Sequence, residues 1–262
     1  MRILILQSSA RAEGNTARVV RMAEADLRTE AGRAGITLQT ETLNLAQLDI
    51  RSCKGCRSCF DRGESTCPHD DELLSVKEKM KAADGLLLAG PVYVNDVNAI
   101  MKNWIDRLAH ICHRPEFAGK TAMLLATTGS TPARHALRTM QVALWTWGYR
   151  IAGQVWFATG ATMPAGEMQQ RHAEGIGRAA RKLIQDIRDR RAARPSFLSL
   201  MVFRIQQVGW RKAVPGSIDF CYWNDRGWLD TRRCSYFFSH SANPLKVAAA
   251  RLVGSIAAGV AT

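Results

Sequence analysis

The chain has 262 residues, of which 47% are hydrophobic, and a formal net charge of +13. Since a single hydrophobic core grows to roughly 250–300 residues, the length allows one large domain or one domain with an extension. The composition excludes an intrinsically disordered chain, a collagen and a small disulfide scaffold. The positive charge suggests that the protein binds a nucleic acid or an anionic membrane. The alternative is a solvated basic surface, and the positions of the charges along the chain bear on the choice.

We expect neither terminal segment to be a targeting signal or a membrane span. Residues 1–6 lack the apolar run of 7–15 residues and the cleavage site of a signal peptide. Residues 247–260 are apolar but shorter than the roughly 20 residues of a membrane span, and they include Arg251. We expect a cytoplasmic protein with no integral membrane segment, in which the seven cysteines indicate metal or redox chemistry and not disulfides.

Short apolar runs alternate with segments of helical periodicity along the first 190 residues. In chain order we predict a strand at 2–6, a helix at 15–33, a strand at 36–43, a cysteine-rich loop at 45–70, a helix at 71–83, a strand at 85–89, a helix at 97–112, a strand at 121–126, a helix at 132–147, a strand at 150–157 and a basic helix at 167–191. This alternation predicts right-handed βαβ units on a parallel five-stranded sheet, an α/β fold.

The character of the chain changes near residues 190–195, which are rich in arginine and alanine. We therefore predict a domain over 1–194, with a Cys-rich loop at 51–70, and a C-terminal extension over 195–262. Residues 196–262 hold ten of the nineteen aromatic residues, with eight basic and three acidic side chains. We expect the aromatic residues to complete a core or a subunit contact; the alternative is that they line the substrate side of a ligand site.

Four loops follow the strands and therefore meet at the carboxyl edge of the predicted sheet, where ligands of such folds bind. They are residues 7–15, 44–70, 90–96 and 127–131. The first places Ser8, Ser9, Gly14 and Asn15 before a helix, where hydroxyls and backbone N–H groups suit a phosphate. The alternative is an ordinary capped helix start.

The loops after the third and fourth strands carry small, polar and aromatic residues. Their sequences are Gly90-Pro91-Val92-Tyr93-Val94-Asn95 and Thr127-Thr128-Gly129-Ser130. Together with the first loop they suit a planar, hydrogen-bonding ligand with a phosphate tail, although Tyr93 could equally be a packing residue at the rim.

Three motifs of the sequence resemble those of a known family. S-S-x-R-x-x-G-N-T after the first strand, G-P-V-Y after the third and M-K-N-W-I-D-R over residues 101–107 are similar to the flavodoxin-like NAD(P)H-dependent FMN reductases, over roughly residues 1–190. The resemblance implies FMN as cofactor and a doubly wound sheet of strand order 2-1-3-4-5.

The resemblance also implies which residues bind FMN. The phosphate would contact Ser9, Arg11, Asn15 and Thr16, and the ring would lie between two loops, with contacts to Pro91, Val92, Tyr93, Asn95, Thr127, Thr128 and Gly129. Lys102, Asp106 and Arg107 are expected to be structural or near a subunit interface.

Four cysteines in the second loop indicate a candidate metal site beside the predicted flavin. Cys53, Cys56, Cys59 and Cys67 give the spacing C-x2-C-x2-C-x7-C, and four thiolates suffice for a 4Fe–4S cluster. The spacing is similar to that of iron–sulfur flavoproteins, a branch of the same family. A zinc site, a redox thiol pair and the absence of any metal remain alternatives. Cys112, Cys221 and Cys234 have no ligand spacing and are expected to pack as small hydrophobic residues.

We therefore predict an FMN-dependent oxidoreductase that passes electrons from NAD(P)H or a reduced carrier such as ferredoxin, through FMN and the cluster, to a quinone or another small-molecule acceptor. A homodimer or homotetramer is expected, with no nucleic-acid partner. The first alternative is a metal-free NAD(P)H:quinone or FMN reductase. The second is a basic nucleic-acid-binding module with a zinc site, which would leave the phosphate loop and G-P-V-Y unexplained.

Overall fold

The computed structural model of the chain describes residues 1–130, 132–161, 163–189, 194–232 and 234–260. The chain forms two compact units. The first comprises Met1–Lys54, His69–Ala109 and Lys120–Arg190, and the second comprises Gly55–Pro68, His110–Gly119 and Arg191–Thr262. The predicted domain boundary at 194/195 stays a prediction, since the neighbouring residues 190–193 lie outside the described part of the chain.

The first unit is built on a parallel sheet. Its strands are β1 (Arg2–Gln7), β2 (Gln39–Asn44), β3 (Gly85–Tyr93), β4 (Asp96–Val97), β5 (Thr121–Thr128) and β6 (Arg150–Ala158). The parallel order is β2-β1-β3-β5-β6, and the short β4 pairs antiparallel with the end of β3. The predicted flavodoxin-like order of five strands is confirmed, and β4 is an addition to it.

The helices lie between the strands and in the C-terminal segment. They are α1 (Asn15–Arg33), α2 (Ser58–Asp61), α3 (Leu73–Ala82), α4 (Ala99–Arg107), α5 (Arg134–Thr146), α6 (Ala165–Arg188), α7 (Phe197–Lys212), α8 (Ile218–Asp225) and α9 (Pro244–Val260). The predicted strand at 36–43 begins later, at Gln39, because its partner β1 begins at Arg2. The predicted helix at 97–112 ends at Arg107 and continues as a 3₁₀ turn, Ala109–Cys112.

Apolar residues at helical spacing bury α1 and α6 against the sheet. Val19, Val20, Ala23 and Leu27 lie on one face of α1, and the core also includes Leu183 of α6. The strands they cover are apolar on both faces, as a sheet covered by helices on both sides requires. This packing fixes the strand ends and therefore the loops at the carboxyl edge.

The second unit has an aromatic core. Phe203 on α7 contacts Trp223, Tyr236 and Phe237, with ring centroids 4.8–5.7 Å apart. Trp223 and Trp228 are also buried within this cluster. The aromatic residues of the extension that are buried thus pack on one another, as expected from their number. Cys221 is exposed, so the expectation that it packs as a small hydrophobic residue was wrong.

Helices α7 and α9 pack closely at Gly254. A Cβ atom at this position would lie 2.8 Å from the carbonyl oxygen of Met201 and 2.9 Å from Cβ of Arg204. We expect Gly254→Ala to lower the free energy of unfolding by about 1–3 kcal/mol through overpacking, measured by urea denaturation. Gly209→Ala on α7 is the control, because outside its own helix backbone a Cβ there would meet no described atom within 4 Å. For this variant we expect a gain in the free energy of unfolding of up to about 1 kcal/mol. Equal effects of the two substitutions would contradict the close approach.

Candidate functional site

The loop between β1 and α1 is held by hydrogen bonds from three sides. The amide N–H of Ser8 donates to the carbonyl of Ala89 at 3.1 Å. The side-chain amide of Asn98 donates to the carbonyl of Ser8 at 2.6 Å, and that of Asn44 donates to the carbonyl of Ser9 at 2.9 Å. These contacts place the loop at the carboxyl edge of the sheet without using its side chains.

The N-terminus of α1 has the character of an anion site. Gly14 is the N-cap residue, no side chain caps the helix there, and the first turn carries no acidic residue. The first N–H groups of a helix lack intrahelical partners, and the helix dipole adds positive potential. A cavity of about 220 Å³ lies beside this terminus, lined by Arg11, Glu13, Gly14, Asn15, Arg18 and Ala161. The uncapped terminus and two arginines favour a phosphate-sized anion, and Glu13 is the single acid among these residues.

Glycine at position 14 keeps the mouth of this cavity open. A Cβ atom there would lie 3.1 Å from Cβ of Arg11 and 3.3 Å from Oγ of Ser9. The Ser9 hydroxyl in turn donates to the carbonyl of Arg11 at 3.0 Å. Ser9 and Arg11 therefore lie in the loop just before α1, and their predicted contact with a phosphate stays a prediction.

Ser8 belongs to the loop predicted to suit a phosphate, although the resemblance did not assign it to FMN. It is fully buried, and its hydroxyl has no hydrogen-bond partner among the described residues. Gly90 faces it, since a Cβ at position 90 would lie 3.0 Å from the Ser8 oxygen. A buried hydroxyl is ordinarily hydrogen-bonded, so its free hydrogen-bonding capacity is consistent with a polar ligand group.

Asn15 and Thr16 bind protein atoms. The Asn15 amide donates to Oγ1 of Thr159 at 3.0 Å and to the carbonyl of Gly160 at 3.2 Å. The Thr16 hydroxyl lies 2.6 Å from the hydroxyl of Thr127. The Asn15 side chain thus joins the first loop to the loop after β6, and the Thr16 side chain joins it to the end of β5. The predicted phosphate contact of the two residues stays a prediction.

The segment after β3 forms a β-hairpin. Val92 pairs with Val97, and the turn between the strands has positive φ at Val94 (49°) and Asn95 (67°). Two positive φ values are typical of a type I′ turn, which suits a tight hairpin but disfavours a β-branched residue. Tyr93 is 49% exposed and Val94 is 99% exposed, so the tip presents apolar surface to solvent.

The hairpin is fixed to α5 and faces the fourth loop along the sheet. The Thr139 hydroxyl donates to Asp96 at 2.7 Å. Pro91 pairs with Thr127 in the parallel register, and both Thr127 and Thr128 are buried. A Cβ atom at Gly129 would meet no described atom within 4 Å, so no protein neighbour demands glycine there. Thr131, at the end of this predicted loop, lies outside the described residues.

Asn98 is a positioning residue that the sequence analysis missed, although an Asn before an apolar helix is a known N-cap signal. Its Oδ1 accepts from the amide of Met101 at 3.2 Å, while its amide holds Ser8. We expect Asn98→Ala to lower the free energy of unfolding by about 1–2 kcal/mol, measured by urea denaturation, because the cap and a buried hydrogen bond are both lost. Asn98→Asp keeps the cap acceptor and removes the donor, and a variant as stable as wild type would contradict the role of the Ser8 contact.

The four predicted metal-binding cysteines are divided between the units. Cys53 belongs to the first unit and is exposed; in the second unit, Cys56 is exposed and Cys59 and Cys67 are half-buried. A hydrogen bond with the Ser58 hydroxyl lowers the pKa of the Cys56 thiol below its ordinary value. Arg57, before α2, has a left-handed backbone with φ of 64°.

Both ends of the Cys-rich loop are fastened within the first unit by one buried ion pair. Arg107 on α4 donates to a carboxylate oxygen of Asp71 at 2.6 Å, and their side chains are only 3% and 2% exposed. Arg107 also donates to the carbonyl of Arg51, whose amide donates to Asp71 at 3.0 Å. Arg107 is thus structural, as the sequence indicated. The paired residue Asp71 was not foreseen.

A second buried arginine holds the loop from within the second unit. Arg114 donates to the carbonyl of Cys59 at 2.6 Å and forms an ion pair with Asp219. Burial alone would raise the pKa of Asp219, but the hydrogen bond from His113 and the charge of Arg114 outweigh it and hold the pKa below its ordinary value. The carbonyl beside one cysteine is therefore fixed in space by a charged network.

Comparison with known sequences shows the family of the chain. The model of the family described as NADPH-dependent FMN reductase matches residues 1–162. An iron-sulfur flavoprotein of Methanocaldococcus jannaschii is 36% identical over 107 residues, which are 41% of this chain and 51% of the relative. An iron-sulfur flavoprotein of Archaeoglobus fulgidus is 23% identical over 235 residues, covering 87% of this chain and 100% of the relative. The matched part thus spans about half of the first relative and all of the second.

Solved structures show the same fold. RosB with bound 8-demethyl-8-formylriboflavin-5′-phosphate superposes with a TM-score of 0.58 and 17% identity, covering 72% of this chain and 79% of RosB. An oxidoreductase from Corynebacterium diphtheriae gives a TM-score of 0.55 and 21% identity, covering 72% and 98%. None of the helices in the described residues is long and apolar enough to cross a membrane.

Proposed function

Because the chain belongs to the NADPH-dependent FMN reductase family, we propose that it is an FMN-dependent oxidoreductase that takes electrons from NAD(P)H or a reduced carrier and delivers them to a quinone or another small-molecule acceptor. The observation that carries the proposal is the uncapped N-terminus of α1 with its cavity and two arginines. We further propose that the chain works as a homodimer or homotetramer.

The residues at the carboxyl edge fit FMN. The phosphate would bind the first N–H groups of α1 together with Ser9, Arg11 and Arg18, and the unpartnered Ser8 hydroxyl offers a further polar contact. Asn15 and Thr16 would contribute the first of these N–H groups, while their side chains hold the loop against its neighbours. FMN supplies a ring that accepts hydride and releases electrons singly.

The ring would lie between the β3–β4 hairpin and the loop after β5. Pro91, Val92, Tyr93 and Asn95 would form one wall, with Thr127, Thr128 and Gly129 on the other. The backbone of both walls is fixed by the sheet register and by the Asp96–Thr139 contact, so the walls are preorganised. The exposed Tyr93 would exclude water from one edge of the ring.

We propose that Cys53, Cys56, Cys59 and Cys67 hold a 4Fe–4S cluster. Four thiols within one loop are the ligand set that such a cluster takes, and the curated relatives named above are iron-sulfur flavoproteins. Arg107 and Arg114 would hold the backbone of the loop in place around the metal.

A visible spectrum with flavin and iron analysis of anaerobically purified protein tests the function. We expect about one FMN per chain, absorption near about 450 nm that NADPH or NADH bleaches, and about four iron atoms with acid-labile sulfide. Flavin without iron would favour the metal-free NAD(P)H:quinone or FMN reductase. Colourless protein that takes up no FMN on reconstitution would contradict the whole proposal. Bound zinc together with salt-sensitive binding of nucleic acid would support the alternative of a basic nucleic-acid-binding module.

A further inference from the structure

Helix α9 has a solvent-facing side made of apolar residues. This side, called here the α9 face, consists of Leu245, Ala248, Ala249, Leu252, Val253, Ile256 and Gly259. Leu245 is 80% exposed, Leu252 64% and Ile256 60%. The opposite side, with Ala250, Gly254 and Ala258, is the buried one. A helix that is apolar on its exposed side as well as its buried side needs a partner to cover it.

The segments that contain α7 and α9 are basic. Residues 194–218 and 231–260 contain eight arginines and lysines and no aspartate or glutamate. They include Arg204 and Arg211 on α7 and Lys246 and Arg251 on α9. Helices α7 and α9 therefore combine an apolar stripe with basic side chains and no acidic ones.

These cations bind neutral groups of the protein. Arg204 donates to the hydroxyl of Ser255 at 2.9 Å, Arg251 to the carbonyl of Cys234 at 3.3 Å, and Lys246 to the carbonyl of Pro195 at 3.3 Å. Burial, with the charges of Arg251 and Arg211, lowers the pKa of the Arg204 guanidinium. Like charges thus lie near one another at this end of the unit, which favours an anionic partner.

We propose that the α9 face docks onto the surface of a lipid bilayer that contains anionic lipids. A helix lying in the interface buries its apolar side at the boundary of head groups and acyl chains, while Lys and Arg at its flanks reach the lipid phosphates. A second copy of this chain is the less suitable occupant, because two such faces would bring cationic flanks together with no carboxylates from α7 or α9 to offset them. The proposal goes beyond the proposed function and does not depend on it.

The test is co-sedimentation of the full chain with vesicles. One set is phosphatidylcholine alone and the other contains about 30% phosphatidylglycerol. We expect binding to the second set only, with a large loss between about 0.05 and about 0.5 M NaCl. The variant Leu252→Asn/Ile256→Asn should lower the bound-to-free ratio by about tenfold or more, since it removes two apolar anchors from an exposed face. Leu74→Asn on α3, which is 38% exposed, is the control and should bind as wild type does.

Three results would overturn the proposal. The first is no binding to either set of vesicles. The second is binding to anionic vesicles that Leu252→Asn/Ile256→Asn leaves unchanged, which would show attraction by charge without docking of the α9 face. The third is a dimer in sedimentation equilibrium that the same variant converts to a monomer, together with absence of vesicle binding, which would assign the face to a second copy.

Discussion

Replacing Arg107 by methionine is expected to lower the free energy of unfolding by about 3–5 kcal/mol, because the buried carboxylate of Asp71 loses its guanidinium partner. Methionine keeps much of the side-chain volume, so the effect reports mainly on charge. Urea denaturation at neutral pH measures it. The two ends of the Cys-rich loop, at Arg51 and Asp71, should also become more accessible to proteolysis, since Arg107 contacts both.

The control lies on the same helix. Lys102 and Asp106 form an ion pair at 2.7 Å, but their side chains are 53% and 47% exposed. Lys102→Met should therefore change the stability by less than about 1 kcal/mol. If Lys102→Met and Arg107→Met lower the free energy of unfolding equally, burial of the Arg107–Asp71 pair does not explain the loss of stability.

The pH dependence supplies a second check on Arg107→Met. Burial would raise the pKa of Asp71, but the hydrogen bond from Arg107 and two backbone donors hold it below the ordinary value of 3.8. The contribution of this carboxylate is therefore complete above that ordinary value and is lost as the pH falls through the lower folded-state pKa. In Arg107→Met the pKa should rise, and the stability difference from wild type should narrow as the pH falls from about 7 to about 4.

Introducing a carboxylate at the N-terminus of α1 is expected to separate ligand binding from stability. Gly14→Asp should weaken FMN binding by about tenfold or more relative to Gly14→Asn, because the new charge repels the phosphate. An acidic N-cap is favourable for a helix, so the ligand-free Asp variant should be as stable as the Asn variant, or more stable by a few tenths of a kcal/mol. Fluorescence titration with FMN and thermal unfolding measure the two quantities.

The asparagine variant is the matched control for steric crowding. Both side chains place a Cβ 3.1 Å from Cβ of Arg11, so any shared loss of affinity comes from shape. Riboflavin, which lacks the phosphate, should bind the two variants equally. FMN affinities that are the same for Asp and Asn would show that the phosphate does not bind at this helix terminus.

Much of the first unit followed from sequence periodicity. The apolar runs 2–6, 85–89 and 121–126 are confirmed as parts of β1, β3 and β5, because buried parallel strands are apolar on both faces. The match of the family model to residues 1–162 confirms the resemblance that the loop motifs carried, and it favours a flavoprotein over a nucleic-acid-binding module. Motifs in the loops were informative because loops at one edge converge whatever their distance in sequence.

The hydrogen-bond and ion-pair partners of individual side chains could not be predicted from sequence periodicity. The resemblance implied a phosphate contact for Asn15 but not the hydrogen bonds of its side-chain amide with Thr159 and Gly160, which lie 144 and 145 residues away. The roles of Asp71 and Asn98 likewise depend on contacts between elements distant in sequence. The type I′ turn at Val94 and Asn95 was also missed, since a valine at that position is unfavourable for such a turn.

The contacts between Arg51 and Asp71 lower the conformational entropy of the segment between them. The amide of Arg51 donates to a carboxylate 20 residues further along the chain, so the Cys-rich loop is closed at its base by the fold of the first unit. Closing a flexible loop costs entropy that grows with the logarithm of its length, and here that cost belongs to protein folding and not to metal capture. Assembly of the proposed cluster would then start from a loop whose ends are already joined, which should speed metal uptake relative to a variant whose loop ends are released.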